Sequence, residues 1–192
     1  GDIKWESLND AFWGAINMEV SASIDKPNLS GTNNLQGMFY GCTKMTYPNN
    51  NIGDWDVSNI TNMDWMFCKA SNFNKNINNW NVSKVYTMAS MFAEATSFNQ
   101  PLGNWDVSSV KYMQSMFFKA THFNQDLSRW KVLNVQKMQD MFNLAIRFNS
   151  ELKDWNVGNV TDMTNMFSRA DQFKSDLSRW DVSNVVSMAG TF

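Results

Sequence analysis

Residues 105–129 read WDVSSVKYMQSMFFKATHFNQDLSR, and the order of apolar positions in this stretch decides the architecture. Trp105 belongs to a series, Trp55, Trp80, Trp105, Trp130, Trp155 and Trp180, each 25 residues after the last. In the same register run Val57, Val82, Val107, Val132, Val157 and Val182, and then Met63, Met88, Met113, Met138, Met163 and Met188. Four positions beyond each Met stands Phe67, Phe92, Phe117, Phe142, Phe167 or Phe192. The unit is W-x-V-x-x-V-x-x-M-x-x-M-F-x-x-A-x-x-F-N-x-x-L-x-x, and a fixed period of this length is the mark of stacked repeats.

The pattern continues backwards in degenerate form. Met38, Phe39, Cys42 and Met45 repeat the M-F-x-x-A-x-x-F segment, three extra residues around Pro48 precede Trp55, and Phe12, Ala15 and Met18 keep the same spacing. Residues 1–51 thus read as degenerate N-terminal capping repeats, and 52–192 as a regular array that stops within a unit at Phe192. A repeat stack needs such a cap, because its first apolar face is otherwise open to water.

Within a unit, Val110, Met113, Met116, Phe117 and Ala120 fall at offsets that share one face of an α-helix. Ser58, Ser83, Ser108 and Ser183 precede that stretch, where a hydroxyl oxygen can cap a helix start. The stretch from Phe98 to Val107 is too short for a second helix and reads as an extended leg. The predicted fold is α/β: a solenoid with one short strand and one short helix per 25-residue turn, its strands forming a parallel sheet at about 4.8 Å per turn. The Asn column Asn74, Asn99, Asn124 and Asn149 reads as a ladder satisfying backbone groups at a bend.

Composition excludes several function classes. The chain of 192 residues carries 16 Lys+Arg against 18 Asp+Glu, a net charge of −2, with one His and two Cys. Such a balance provides no basic footprint for nucleic acid or an anionic membrane. One His cannot anchor a Cys/His zinc site, and two Cys cannot staple a fold of this length. No apolar run is long enough to span a bilayer, so no direct membrane insertion is expected. The abundance of 9 Trp, 14 Phe, 14 Met and 26 Asn follows from repetition.

The stretches WDVSNITNMDWMFCKASNFN (55–74), WDVSSVKYMQSMFFKATHFNQDL (105–127) and WNVGNVTDMTNMFSRADQF (155–173) resemble the repeat of the BspA-like leucine-rich-repeat surface proteins, including their mycoplasma-type lipoprotein branch. The opening KWESLNDAFWGAINM (4–18) is similar to the lead-in of that family, so the resemblance covers residues 4–192. It implies a right-handed leucine-rich-repeat-like solenoid on secreted or surface-anchored bacterial proteins, a role in adhesion, and no enzymatic activity. Trp, Met and Phe occupy most core columns where a standard leucine-rich repeat carries Leu.

Nothing in the residues assembles a catalytic, metal or cofactor site. His122 sits at a variable position and reads as an ordinary exposed side chain. Cys42 takes the small Ala column, Cys68 takes a different column, and neither has a His partner at repeat spacing. A bridge between the two Cys stays open. The expected site is therefore a partner-binding surface among the variable positions. Asp126, Glu151 and Asp176, each four before a Trp, form an acidic column that either attracts a cation or basic partner or is neutralised by Arg129, Lys153 and Arg179. Trp65, Tyr86, Tyr112, Phe118, Leu144 and Ile146 break the consensus with outward apolar groups, and Trp65 and Phe118 could edge one patch. Lys69, Glu94, Lys119, Leu144 and Arg169 share a column that reads as a solvated face. The functional expectation is a monomeric, extracellular or cell-surface module binding a host or cell-surface protein or glycan. The alternative is a spacer or antigenic segment that presents another domain.

Overall fold

The computed structural model describes residues 4–18, 26–45 and 52–192. The segment around Pro48 and part of the expected cap lie outside the described residues. Among the described residues the chain runs as a stack of turns, 25 residues apart from Asn62 onward, with almost no regular secondary structure. Among the described residues the one helical element is a 3₁₀ turn at Ile52–Asp54. Neighbouring turns are joined by isolated parallel bridges in a single file, Asn34, Asn62, Thr87, Tyr112, Lys137, Asp162 and Ser187.

The expected right-handed α/β leucine-rich-repeat-like solenoid, with a strand and a helix in each turn and a parallel sheet, is therefore corrected. The backbone bonding of residues 113–120 shows why. Met116 N–H donates to Met113 O, Phe118 N–H to Ser115 O and Ala120 N–H to Phe117 O, each three residues back. The amides between them reach across to the next turn: Met113 to Lys137 O, Ser115 to Gln139 O, Phe117 to Met141 O and Lys119 to Asn143 O. An α-helix would need every amide to bond four residues back. Here alternate peptides close β-turns within the unit, and the others link successive units.

This alternation demands two left-handed residues per turn. Ser115 has φ 55° and Lys119 has φ 55°, and each stands third in its turn, where type II geometry requires positive φ. The same positions hold Trp65 and Lys69, Ser90 and Glu94, Asp140 and Leu144, Asn165 and Arg169. The turn before these uses glycine at both positions, Gly37 and Gly41, and the one before that has Asp10 and Gly14. A side chain at Gly37 would place its Cβ 2.0 Å from Asp10 Oδ1, so that position also needs a bare backbone. Left-handed geometry costs a side-chain-bearing residue roughly 1–2 kcal/mol. Arg169 is exposed with φ 57°. Arg169→Gly is therefore expected to raise the unfolding free energy by about 1 kcal/mol, and Arg169→Val to lower it by about the same. Urea denaturation of the two variants beside the parent checks the opposed signs.

The serines expected to cap helices do something else. Ser58, Ser108 and Ser183 each donate their backbone N–H to the carboxylate two residues earlier, on Asp56, Asp106 and Asp181, and Ser83 does the same to Asn81 Oδ1. The acceptor is the Asx side chain, so these are Asx-turns that bend the chain after Trp55, Trp80, Trp105 and Trp180.

The core fills the ring with columns of like residues. Phe67, Phe92, Phe117, Phe142 and Phe167 stack with centroids 5.6–5.7 Å apart. Phe73, Phe98, Phe123, Phe148 and Phe173 make a second column at 5.6–6.0 Å. Each pair within a turn lies 3.8–4.1 Å apart. Trp80, Trp105, Trp130, Trp155 and Trp180 stack at 6.2–6.5 Å with nearly parallel planes. Their indole N–H groups donate at 2.9–3.0 Å to carbonyls of the preceding turn, Ile52, Ile77, Leu102, Leu127 and Leu152. A buried indole thus keeps the partner it needs. The Asn column is a ladder: Asn74 Oδ1 accepts Asn99 N–H, Asn99 Oδ1 accepts Asn124 N–H, and Asn124 Oδ1 accepts Asn149 N–H, ending where Asn149 Oδ1 accepts Lys174 N–H.

Candidate functional site

A concavity of the surface follows the small Ala column. Ala70, Ala95, Ala120 and Ala145 are buried. The residue before each Ala is left-handed and the residue after it begins the next bend, so two rows of side chains stand outward on either side of the buried Ala column. The first row is Lys69, Glu94, Lys119 and Leu144, and the second is Thr43, Ser71, Thr96, Thr121 and Ile146. Together they line a groove of about 570 Å³ that crosses five turns. One turn further on, Arg169 and Asp171 continue the two rows beside Phe173 and Phe192.

The polar groups along the groove have definite partners. Ser71 Oγ donates to Thr43 O at 3.3 Å and Thr96 Oγ1 to Ser71 O at 3.5 Å, so hydroxyls of the second row lean on the preceding turn. His122 Nδ1 lies 2.7 Å from Thr96 O, and a carbonyl acceptor fixes the proton on that nitrogen. Lys69 Nζ sits over the Tyr40 ring at 5.4 Å, and Lys119 Nζ over the Phe118 ring at 5.0 Å. Contact with Tyr40 raises the Lys69 pKa, with the Glu94 charge acting in the same direction. Tyr40 is itself stacked on Trp13 at 3.8 Å, so an aromatic edge begins the first row.

The outward residues singled out in the sequence do not gather into one patch. Trp65 is 41% exposed in the left-handed column shared with Ser90 and Ser115. Phe118 is half-buried beneath Lys119, two turns away and in the column of Tyr40 and Cys68. Tyr112 is half-buried in the bridge file, while Tyr86, 44% exposed, stands in the adjacent column with its N–H donating to Thr61 O. None of these four lines the groove, and Phe118 meets it only through the Lys119 ammonium over its ring.

The acidic column is occupied locally. Asp126 Oδ1 accepts Ser128 N–H at 2.8 Å and Asp176 Oδ1 accepts Ser178 N–H at 2.9 Å, and these bonds hold both carboxyls below the usual range. Glu151 Oε1 accepts the Ser175 hydroxyl and Lys153 N–H. Lys153 Nζ pairs with Asp176 at 3.4 Å, whereas Arg179 turns to Asp154 at 2.8 Å. Each carboxylate therefore answers to a neighbour of its own. Among the described residues no group of His, Cys, Asp and Glu is placed to hold a metal ion. Cys42 and Cys68 are free and buried, and burial pushes the Cys68 thiol up to about 11. Among the described residues no helix is long and apolar enough to cross a membrane.

The sequence assigned the Lys69 to Arg169 column to solvent and singled out Leu144 and Ile146 as outward apolar residues, without the row from Thr43 to Thr121 that joins them in one groove. The signal was present: in each regular turn a buried Ala stands between two variable positions that face outward.

No curated protein and no solved structure matches the chain. One family model does, over residues 6–127 and again over 101–192, and it is described as Mycoplasma protein of unknown function, DUF285. The overlapping matches cover nearly the whole chain, as expected when one model can be laid on successive copies of a repeat. With the 25-residue period and the stacked turns it dictates, this match places the chain in the DUF285 family of Mycoplasma repeat proteins.

Proposed function

We propose that the chain is a non-enzymatic repeat module of an extracellular or cell-surface protein, of the BspA-like surface-repeat kind, and that it binds a protein or glycan partner. The observation that carries this reading is the groove. It follows a column of buried Ala through successive turns, while the residues that line it change from Lys to Glu to Leu and from Ser to Thr to Ile. A scaffold that holds its core columns constant and varies one continuous concavity has the arrangement of a binding surface carried on a rigid frame. The wide spread of the acidic and aromatic surface residues and their local pairing offer no convergent acid, base or nucleophile, which favours recognition over chemistry.

The test is a binding screen of the chain against purified extracellular-matrix proteins and a glycan array, with a repeat-scrambled control. A saturable, competable ligand that ignores the control is the expected result. Silence across both panels would overturn the binding reading and leave the chain as a spacer that presents another domain.

A further inference from the structure

Resting on that reading, we propose that the groove from Lys69 to Arg169 takes an extended acidic segment of a protein partner in the polyproline II conformation, its carboxylates meeting Lys69, Lys119 and Arg169.

Width selects the backbone. The two walls are the residues on either side of a single Ala, and positions two apart are separated by at most about 7 Å along the chain. An α-helix with its side chains is about 10–12 Å across and does not enter such a channel. Hydrogen bonding selects further. The amides beside the Ala column are engaged, Lys119 N–H with Asn143 O and Ala120 N–H with Phe117 O, and the same bonds recur at Lys69, Ala70, Glu94 and Ala95. The first-wall and Ala amides are thus spent within the stack, which leaves no continuous main-chain ladder along the groove for a partner strand to extend. A polyproline II chain makes no such demand, since its backbone is solvated rather than paired.

Charge and period then agree. The whole chain is net negative, yet the first wall carries cations at every second turn, Lys69, Lys119 and Arg169, with Glu94 and Leu144 between them. The facing wall from Thr43 to Ile146 is uncharged until Asp171 at the far end. Turns joined by parallel bridges are about 4.8 Å apart, so alternate turns lie about 9.6 Å apart. A polyproline II helix repeats every three residues, about 9.3 Å. An acidic residue at every third position would thus meet successive cations, whereas same-side residues of a β-strand, about 6.7 Å apart, fall out of step. Tyr40 and Phe118 lie beneath the two ammonium groups and hold them by cation–π contact.

The test is fluorescence anisotropy with a labelled Pro-Pro-Glu repeat peptide, set against Pro-Pro-Lys and Gly-Gly-Glu peptides of equal length. The parent is expected to bind Pro-Pro-Glu saturably, more weakly as salt is added, and to prefer it over both controls. The double variant Lys69→Glu with Lys119→Glu should bind it about tenfold more weakly with an unchanged melting temperature. Equal binding of Pro-Pro-Lys, or no effect of the double variant, would overturn the assignment of the cations. Equal binding of Gly-Gly-Glu would overturn the conformation. No peptide binding, beside a matrix or glycan ligand that the double variant still holds, would sink this inference and leave the broader reading standing. Failure of peptide and screen together would sink both.

Discussion

Phe117→Ala is expected to lower the unfolding free energy by about 3–5 kcal/mol, the loss found when a fully buried ring is cut to a methyl group. Phe117 is completely buried. Its ring lies 4.0 Å from Phe123 in its own turn, 5.7 Å from Phe92 and 5.6 Å from Phe142 in the adjacent turns, and 6.4 Å from Trp130. Collapse cannot close the hole, because each neighbour is pinned by the next ring in its column. Bonds through Phe117 N–H to Met141 O, and from Phe92 N–H to Met116 O, tie the site to both flanking turns. The damage should therefore stay local, as expected where each unit contacts only its neighbours. Urea unfolding measures the total, and amide exchange should speed up most in the turns holding Phe92, Phe117 and Phe142. A variant that melts like the parent would show that this column is not the core.

Trp130→Phe keeps an aromatic ring in place and should still cost roughly 2–4 kcal/mol. Two losses combine. The indole N–H that reaches Leu102 O at 3.0 Å disappears, although that carbonyl keeps Trp105 N–H at 3.1 Å, so the acceptor is weakened rather than orphaned. The smaller ring also leaves space between Trp105 and Trp155, which stack on Trp130 at 6.5 and 6.2 Å. The same replacement at Trp180 should cost less. Its indole makes the equivalent bond to Leu152 O, but its ring is only half-buried in the final turn. Thermal unfolding of the two variants compares them directly. Equal losses at the two positions would mean that the column contributes through the indole bond alone.

The repeat, the core columns and the Asn ladder were legible in the sequence, because burial imposes residue identity at each turn and the period exposes it. The helix was misread for a physical reason. Turns closed by bonds three residues back begin and end on buried side chains, as at Val107 and Val110, Met113 and Met116, Phe117 and Ala120. That spacing is the one an amphipathic helix shows, so periodicity alone cannot tell them apart. What distinguishes them is positive φ at Ser115 and Lys119, residue types that do not advertise it, whereas Gly37 and Gly41 in the early turns do. The groove was hidden for a related reason: its walls are two residues apart, a pairing that neither helical nor strand logic places on one open channel.

The alternation of bonds also gives the stack an electrical direction. In each turn the amides at the positions of Met113, Ser115, Phe117 and Lys119 point toward the higher-numbered neighbour, while the amide at Lys111 points back toward Tyr86 O. Each peptide unit carries a dipole of about 3.5 D, and in an α-helix such dipoles add along the axis. Here they add across turns that are far apart in sequence, and the positive pole faces the end at Phe192. A negatively charged chain lying along the groove would therefore feel two unlike ends, and its more acidic part would settle toward Arg169.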